Sequence, residues 1–253
     1  MQIKVPTNQI VAVNRRDEIQ HPYLESLFRW AVGLQYYNFG TSMGKENGII
    51  NQQKINVNIR DNNQVTGMML KGILEFNDEF TSEIIQSMGT VGYELTQVGV
   101  APNQNSGVPL HFIFVKEADR DSLTFQHEMS QGMFRVLSLI IQIIYSQHIQ
   151  QQSTIIIDDI GEGLDFERSV QIISLLIKKS EHSQFQLLMS TNDKFVMNKV
   201  ALKYWQVIKR SNNVCKLFNF RNSESTFKDF EYTGLSNFDF FTTEFYEKGF
   251  EKE

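Results

Sequence analysis

The sequence predicts an α/β protein built on a parallel sheet, and three observations carry that prediction. First, Thr154-Ile-Ile-Ile157 is a short apolar run ending in two carboxylates, Asp158 and Asp159, and a glycine-containing turn. Such a run fits a strand covered on both faces. Second, helical periodicity follows over Phe166 to Lys179, and then another strand-like run over Gln184 to Thr191, the alternation of a crossover unit. Third, 253 residues with 41% hydrophobic content can bury a sizeable core, as one large domain or two intimate lobes.

Taken in order, residues 1–40 read as an extended entry and a helix over about Pro22 to Val32, with Leu24, Leu27, Phe28 and Ala31 at helical spacing. Residues 41–66 are rich in Gly, Asn and Gln, with at most a short strand through Ile55, Val57 and Ile59. Residues 67–88 are again helical, offering Met69, Ile73, Leu74, Phe80 and Ile84 for packing. Tyr93–Val100 and Val108–Val115 have strand character around the turn residues Ala101 to Gly107, which predicts a β-hairpin. His111 has no His or Cys at ligand spacing, so no metal role is expected of it. A Ser/Gly start at Ser130 and Gly132 opens a long apolar helix to Tyr145. After the 184–191 strand, Asp193 fits the N-cap of a helix near Lys194–Val200. Tyr204–Lys209 and Val214–Phe220 flank Ser211-Asn-Asn as a second hairpin, and the aromatic tail Leu235–Tyr246 is expected to dock as a terminal helix. No internal repeat or low-complexity tract interrupts the chain.

Composition narrows the function classes. The net charge of −5 and pI of 5.6 exclude a basic footprint over the whole surface, though not a local patch. The single cysteine, Cys215, excludes an internal disulfide framework and fits a reducing compartment. The longest apolar run, within 136–144, is too short to span a membrane, and the first residues lack a signal-peptide core. A cytoplasmic protein without membrane partners is the expectation.

Two places carry chemistry. Acidic side chains at the carboxyl end of a parallel strand lie where open α/β sheets bind ligands. There Asp158 and Asp159 can hold a hydrated Mg²⁺ and orient a water; serving only as turn or capping residues is equally open to them. The Ser130–Gly132 helix start suits an anion; an ordinary capped core helix is the alternative.

The order of these segments is more specific than any one of them. Met129-Ser130-Gln131-Gly132-Met133-Phe134-Arg135 matches a signature motif Leu-Ser-x-Gly-x-x-Arg. Ile155–Asp159 matches a Walker B strand, Gly163-Leu164-Asp165 a D-loop, and Ser190–Asp193 a switch segment. In this order they resemble the second half of an ABC-type ATPase of the RecF/SMC-like branch, often described as AAA-family ATPases. The resemblance implies a P-loop-NTPase-like parallel-sheet core with a helical signature lobe and a β-hairpin. It implies a lobe region over 1–128 and the signature, Walker B and switch core with the C-terminal hairpin and helix over 129–253, forming one intimate unit. It also implies ATP and Mg²⁺ as cofactors. Asp158 would hold Mg²⁺ through water, and Asp159 would orient or deprotonate the attacking water. Asn192 would contact the γ-phosphate. Ser130, Gln131, Gly132 and Arg135 would serve a nucleotide held mainly by a second subunit, and Asp165 would line that interface.

Three departures stand out. Asp159 replaces the commoner Glu, and Asn192 a frequent His. No Walker A is present: Gly40-Thr-Ser-Met-Gly44-Lys45-Glu46 has one residue too few between its glycines, and Glu46 stands where Ser/Thr would bind Mg²⁺. The chain is therefore expected to be truncated, split or supplied with its phosphate loop by another polypeptide. The function implied is an ATPase module whose ATP-dependent dimerisation drives a DNA-repair, chromosome-handling or phage-defence effector, with a nuclease and DNA among its partners. The alternative is a non-catalytic subunit that donates its signature motif or scaffolds an effector.

Overall fold

The computed structural model describes residues 19, 22–50, 56–103, 110–150, 153–181 and 185–250. Its contacts divide the chain into two compact units, Met1–Ser190 and Thr191–Glu253.

The first unit contains the expected parallel sheet. Strands β1 (Leu34–Asn38), β5 (Ser153–Asp158) and β6 (Phe185–Met189) pair in the order β1-β5-β6, all parallel, so β5 is central. Strand β1 lies beyond the extended entry and helix that residues 1–40 predict. Gln35-Tyr-Tyr-Asn does not look like a buried strand, yet Tyr37 and Phe39 are fully buried. Gln35 is buried because its polar groups are satisfied: it receives the Tyr37 hydroxyl at 2.5 Å and donates to Ser146 Oγ at 3.1 Å. Burial also pushes the Tyr37 phenol far above its ordinary range. That network ties β1 to the long helix α3 (Gln131–His148), most of whose residues are buried. On β5, Ile155 and Ile157 point into the same core and are fully buried, each contributing on the order of 2 kcal/mol.

Other elements frame this sheet. Helix α1 spans Pro22–Val32, as its periodicity predicts, but Leu27 is exposed and only Leu24 of its apolar members is fully buried. Helix α2 (Val65–Thr90) packs on α3 and is broken at Asn77, whose φ of 53° interrupts the helical ladder. No strand forms over 56–60; Ile55 lies outside the described residues, and Val57 and Ile59 pack half-buried without a partner strand. The first hairpin is longer than predicted. Here β2 (Leu95–Asn103) pairs antiparallel with β3 (Leu110–Glu117), absorbing Ala101–Asn103 into the strand, and a short β4 (Thr124–Phe125) adds to β3. Helix α4 (Phe166–Glu181) connects β5 to β6, with Ile172, Ile173 and Leu176 buried. Among the described residues no helix is long and apolar enough to cross a membrane.

The second unit begins with helix α5 (Lys194–Lys199), whose Asp193 N-cap accepts from Phe195 N at 2.7 Å and Val196 N at 3.0 Å. The antiparallel strands β7 (Gln206–Ser211) and β8 (Val214–Asn219) form the expected hairpin. The tail differs from the single helix predicted. Helix α6 (Glu224–Glu231) precedes two short helices, α7 (Asn237–Thr242) and α8 (Phe245–Lys248), separated at Glu244, which has a left-handed φ of 55°. The aromatic residues that suggested a docking helix instead form this unit's own core. Phe240 is fully buried, with ring neighbours Phe227 at 4.6 Å, Phe230 at 5.1 Å and Tyr246 at 6.0 Å.

Because Phe240 lies at the centre of that cluster, Phe240→Ala is expected to destabilise the second unit by about 3 to 5 kcal/mol. Chemical denaturation followed by Trp205 fluorescence in a Trp30→Phe background reads this loss.

Candidate functional site

The site is built at the carboxyl edge of the parallel sheet. Asp158 is the last residue of the central strand, opposite Asn38 of β1. Alternation places Tyr36, Asp158 and Ser190 on one face, with Tyr36 on β1 and Ser190 one residue past β6. The Tyr36 hydroxyl donates to Asp158 Oδ2 at 3.0 Å, and the Ser190 hydroxyl donates to Oδ1. Ser190 Oγ in turn accepts the Asp159 N–H at 3.1 Å. Hydrogen bonds to the charged form favour it. The Ser190 hydroxyl first, then that of Tyr36, hold the Asp158 carboxyl below the usual carboxylate range. The same bond raises the Tyr36 phenol.

Immediately beyond the strand the backbone turns sharply. Asp159 is exposed and takes a left-handed φ of 55°, a costly conformation for a residue with a Cβ. The turn is closed by Glu162 N–H to Asp159 O at 3.1 Å and Leu164 N–H to Gly161 O at 3.0 Å, while Ile160 N–H reaches Ser190 O at 3.0 Å. Asp165 then caps α4. It accepts the Arg168 backbone N–H at 2.9 Å and pairs with the Arg168 guanidinium, which lies 4.5 Å from the centre of the Tyr93 ring. These Arg168 contacts, the backbone one foremost, hold the Asp165 carboxyl below its usual range.

The tip of α3 lies against the same edge. Ser130 is exposed and N-caps the helix, accepting from Met133 N at 3.2 Å. Gln131 Nε2 donates to Thr41 O at 3.2 Å. Gly132 is packed so closely that a Cβ there would lie 2.8 Å from Gly163 O. Arg135, 8% exposed, donates through Nε to Thr41 O at 3.0 Å, through Nη1 to Glu162 O at 2.8 Å and through Nη2 to Gly40 O at 2.5 Å. One guanidinium thus joins the loop after β1, the loop after β5 and the helix tip. The Gly40–Glu46 segment belongs to this assembly: Met43 and Gly44 take left-handed φ values of 49° and 83°, and Lys45 Nζ donates to Met129 O at 2.7 Å.

The structure therefore brings Asp158, Asp159, Ser130, Gln131, Gly132, Arg135 and Asp165 to one edge. Asn192 is exposed and belongs to the second unit. Tyr36 and Ser190 are the site residues that sequence reasoning missed as partners of Asp158. Ser190 was findable, since it follows a strand parallel to β5; Tyr36 carried no signal while β1 went unrecognised. A cleft of about 490 Å³ bordered by Arg60, Lys71, Glu75 and Tyr145 contains none of these residues.

The donors at Asp158 are hard oxygens, which suits Mg²⁺. No group of three or more His, Cys, Asp or Glu capable of holding a metal occurs among the described residues. One carboxylate fits a cation whose remaining positions are filled by water and nucleotide phosphate.

No protein-family model matches the chain, and no curated protein matches it. Among solved structures it is similar to SMC ATPase heads. One comes from work on ATP-driven dimerisation and DNA-stimulated activation of SMC ATPases: 15% identity, TM-score 0.43, covering 60% of this chain and 91% of that one. Another is an SMC head bound to the C-terminal winged-helix domain of ScpA: 16% identity, TM-score 0.43, 60% and 47% covered. A third is a Pyrococcus furiosus SMC head with an extended coiled coil, bound to the C-terminal domain of ScpA: 15% identity, TM-score 0.42, 64% and 44% covered. The chain thus spans less than half the length of the second and third. Its α/β architecture is established by its own strand pairing.

Two outcomes follow from this geometry. Arg135→Lys keeps the charge but loses the fork that reaches three carbonyls, and is expected to cost about 2 to 4 kcal/mol in chemical denaturation. A carboxyl held low in the folded state stabilises it above the ordinary aspartate range, and that contribution is lost as pH falls through the lowered value. In carboxyl-detected NMR, Asp158 is accordingly expected to titrate below an ordinary aspartate, and Ser190→Ala to move its titration upward.

Proposed function

We propose that this chain is the signature- and Walker B-bearing part of an ABC-type ATPase, working by ATP-dependent dimerisation to drive a DNA-repair, chromosome-handling or phage-defence effector. The observation that carries the proposal is one edge of one sheet. There an aspartate ends the central parallel strand under two hydroxyl donors, a second aspartate turns out to solvent beside it, and an exposed serine caps a helix tip clamped to the same loops.

In this reading ATP lies between Asp158–Asp159 and the Ser130 tip of a second protomer. Mg²⁺ would be held on the Asp158 side and would neutralise charge on the phosphates. Asp159 orients the attacking water and receives its proton; its shorter side chain is compensated by the left-handed turn that carries it outward. Ser130 and the Gly132 N–H meet the γ-phosphate. Asp165 lines the interface from the start of α4. Gln131 and Arg135 serve the nucleotide by fixing the tip, since their donors are engaged by main-chain carbonyls.

A Walker A-bearing subunit completes the site. Lys45 is bonded to Met129 O rather than held free for a phosphate, which supports the view that residues 40–46 are a bracket. The sheet also offers room. Across its three strands Tyr36 is 50% exposed, Ile156 partly exposed and Leu188 36% exposed, whereas parallel sheets are ordinarily covered on both faces. The same bracket favours a second reading, in which the chain lends Ser130 to a partner's nucleotide and turns over none itself. Cytoplasmic placement accords with the single cysteine.

The test is the full chain with its Walker A-bearing subunit. Asp159→Asn is expected to lower turnover by about 100-fold or more while ATP binding, read by isothermal titration, stays within about twofold of wild type. Unchanged turnover would remove Asp159 from the mechanism, and a complex without ATPase activity at all would leave the donor reading.

A further inference from the structure

We propose that the cleft at the far end of α3 binds a nucleoside monophosphate, at a site separate from the sheet edge. Four segments meet there: the end of α1, residues 57–60, the first half of α2 and the last turn of α3. Its volume of about 490 Å³ lies in the range of small-molecule sites. Ser130 caps the opposite end of α3, roughly 20 Å away at 1.5 Å per residue.

The lining divides into two parts. One is apolar: Val32 is 40% exposed, and Val57, Ile59 and Ile149 are half-buried. Val57 and Ile59 are the alternating residues that form no strand, and this wall gives their pattern a use. The other part is charged. Arg60 is exposed, and its guanidinium makes no hydrogen bond or ion pair with the described residues. Its backbone is nonetheless fixed: Asn58 Oδ1 accepts the Arg60 N–H at 3.1 Å, and Asn58 O accepts the Asp61 N–H at 3.0 Å. Lys71 is hydrogen-bonded to the buried Tyr145 hydroxyl and lies 3.7 Å from Glu75. That partly exposed ion pair is weak in water, so both of its members stay available to a ligand.

Two cations against one carboxylate leave the lining one positive charge in excess. An arginine fork beside a lysine point charge suits a phosphate. Phosphate alone neither fills the cleft nor covers its apolar wall. A nucleoside monophosphate does both: its phosphate meets Arg60 and Lys71, its base lies on the wall, and its ribose hydroxyls donate to Glu75, whose carboxylate has acceptor pairs to spare. An aliphatic wall reads no base edge, so the identity of the base matters little.

The experiment is isothermal titration of the full chain with AMP, UMP, adenosine and inorganic phosphate, in EDTA to keep divalent cations from the sheet edge. AMP and UMP are expected to bind alike, inorganic phosphate about tenfold or more weaker, and adenosine not detectably. Arg60→Gln and Lys71→Gln, both at partly or fully exposed side chains, are each expected to weaken AMP by about tenfold or more. Asp158→Asn is expected to leave AMP binding within about twofold of wild type. Unchanged thermal melting of each variant shows that it folds. AMP that binds no tighter than inorganic phosphate, or no tighter than adenosine, overturns the nucleotide reading. Binding lost in Asp158→Asn but kept in Arg60→Gln and Lys71→Gln belongs to the sheet edge and overturns the proposal, as does absence of AMP binding to the wild type.

Discussion

The arrangement at the sheet edge depends on one buried guanidinium. Among the described residues Arg135 pairs with no carboxylate; it is balanced by three carbonyl oxygens drawn from two loops. A charge removed from water is tolerated only when its donors are met, so the loops must stay where the fork can reach them. That constraint fixes the entry to Gly40–Glu46, the turn after Asp159 and the first turn of α3 in a single mutual position. The Lys45 bond to Met129 O repeats the device on a smaller scale. Both cations spend their hydrogen bonds on backbone, which makes this edge a frame in which the exposed Ser130 and Asp159 are the groups left pointing to solvent.

Much of the sheet was readable because its residues obey their periodicities. The isoleucine run of β5 and the broad apolar face of α4 can be read in only one way, and Asp193 caps the helix its position announced. The strand β1 was not readable, because its burial depends on a side-chain network. Gln35 is acceptable inside only because Tyr37 and Ser146 are there to meet it, and no local pattern reports a partner more than a hundred residues away. The C-terminal aromatics misled in the opposite sense. Their spacing looks like one docking helix, whereas left-handed Glu244 folds the segment back so that Phe240 and Tyr246 share a core.

The candidate site divides along the same line. Asp158 and Asp159 announce themselves by ending an apolar strand, and Ser130 by starting an apolar helix. What the residues do to one another was hidden. Asp158 is governed by Tyr36 and Ser190, neighbours only through parallel pairing of strands far apart in sequence. Arg135, which the signature motif reads as serving the nucleotide, is bonded to three main-chain carbonyls, a use of its donors that the motif does not announce, since arginine's fork suits either task.

Gly132 and Gly163 come from separate segments yet nearly touch: Gly163 O would lie 2.8 Å from a methyl on Gly132, and Arg135 Nη1 would lie 2.7 Å from one on Gly163, whose φ of 78° already favours glycine. The two behave as a single unit of choice. In a combinatorial library a side chain at Gly132 has to shift the Gly163 backbone and one at Gly163 has to displace the Arg135 guanidinium, so any redesign of the helix tip has to re-select the distant turn at the same time.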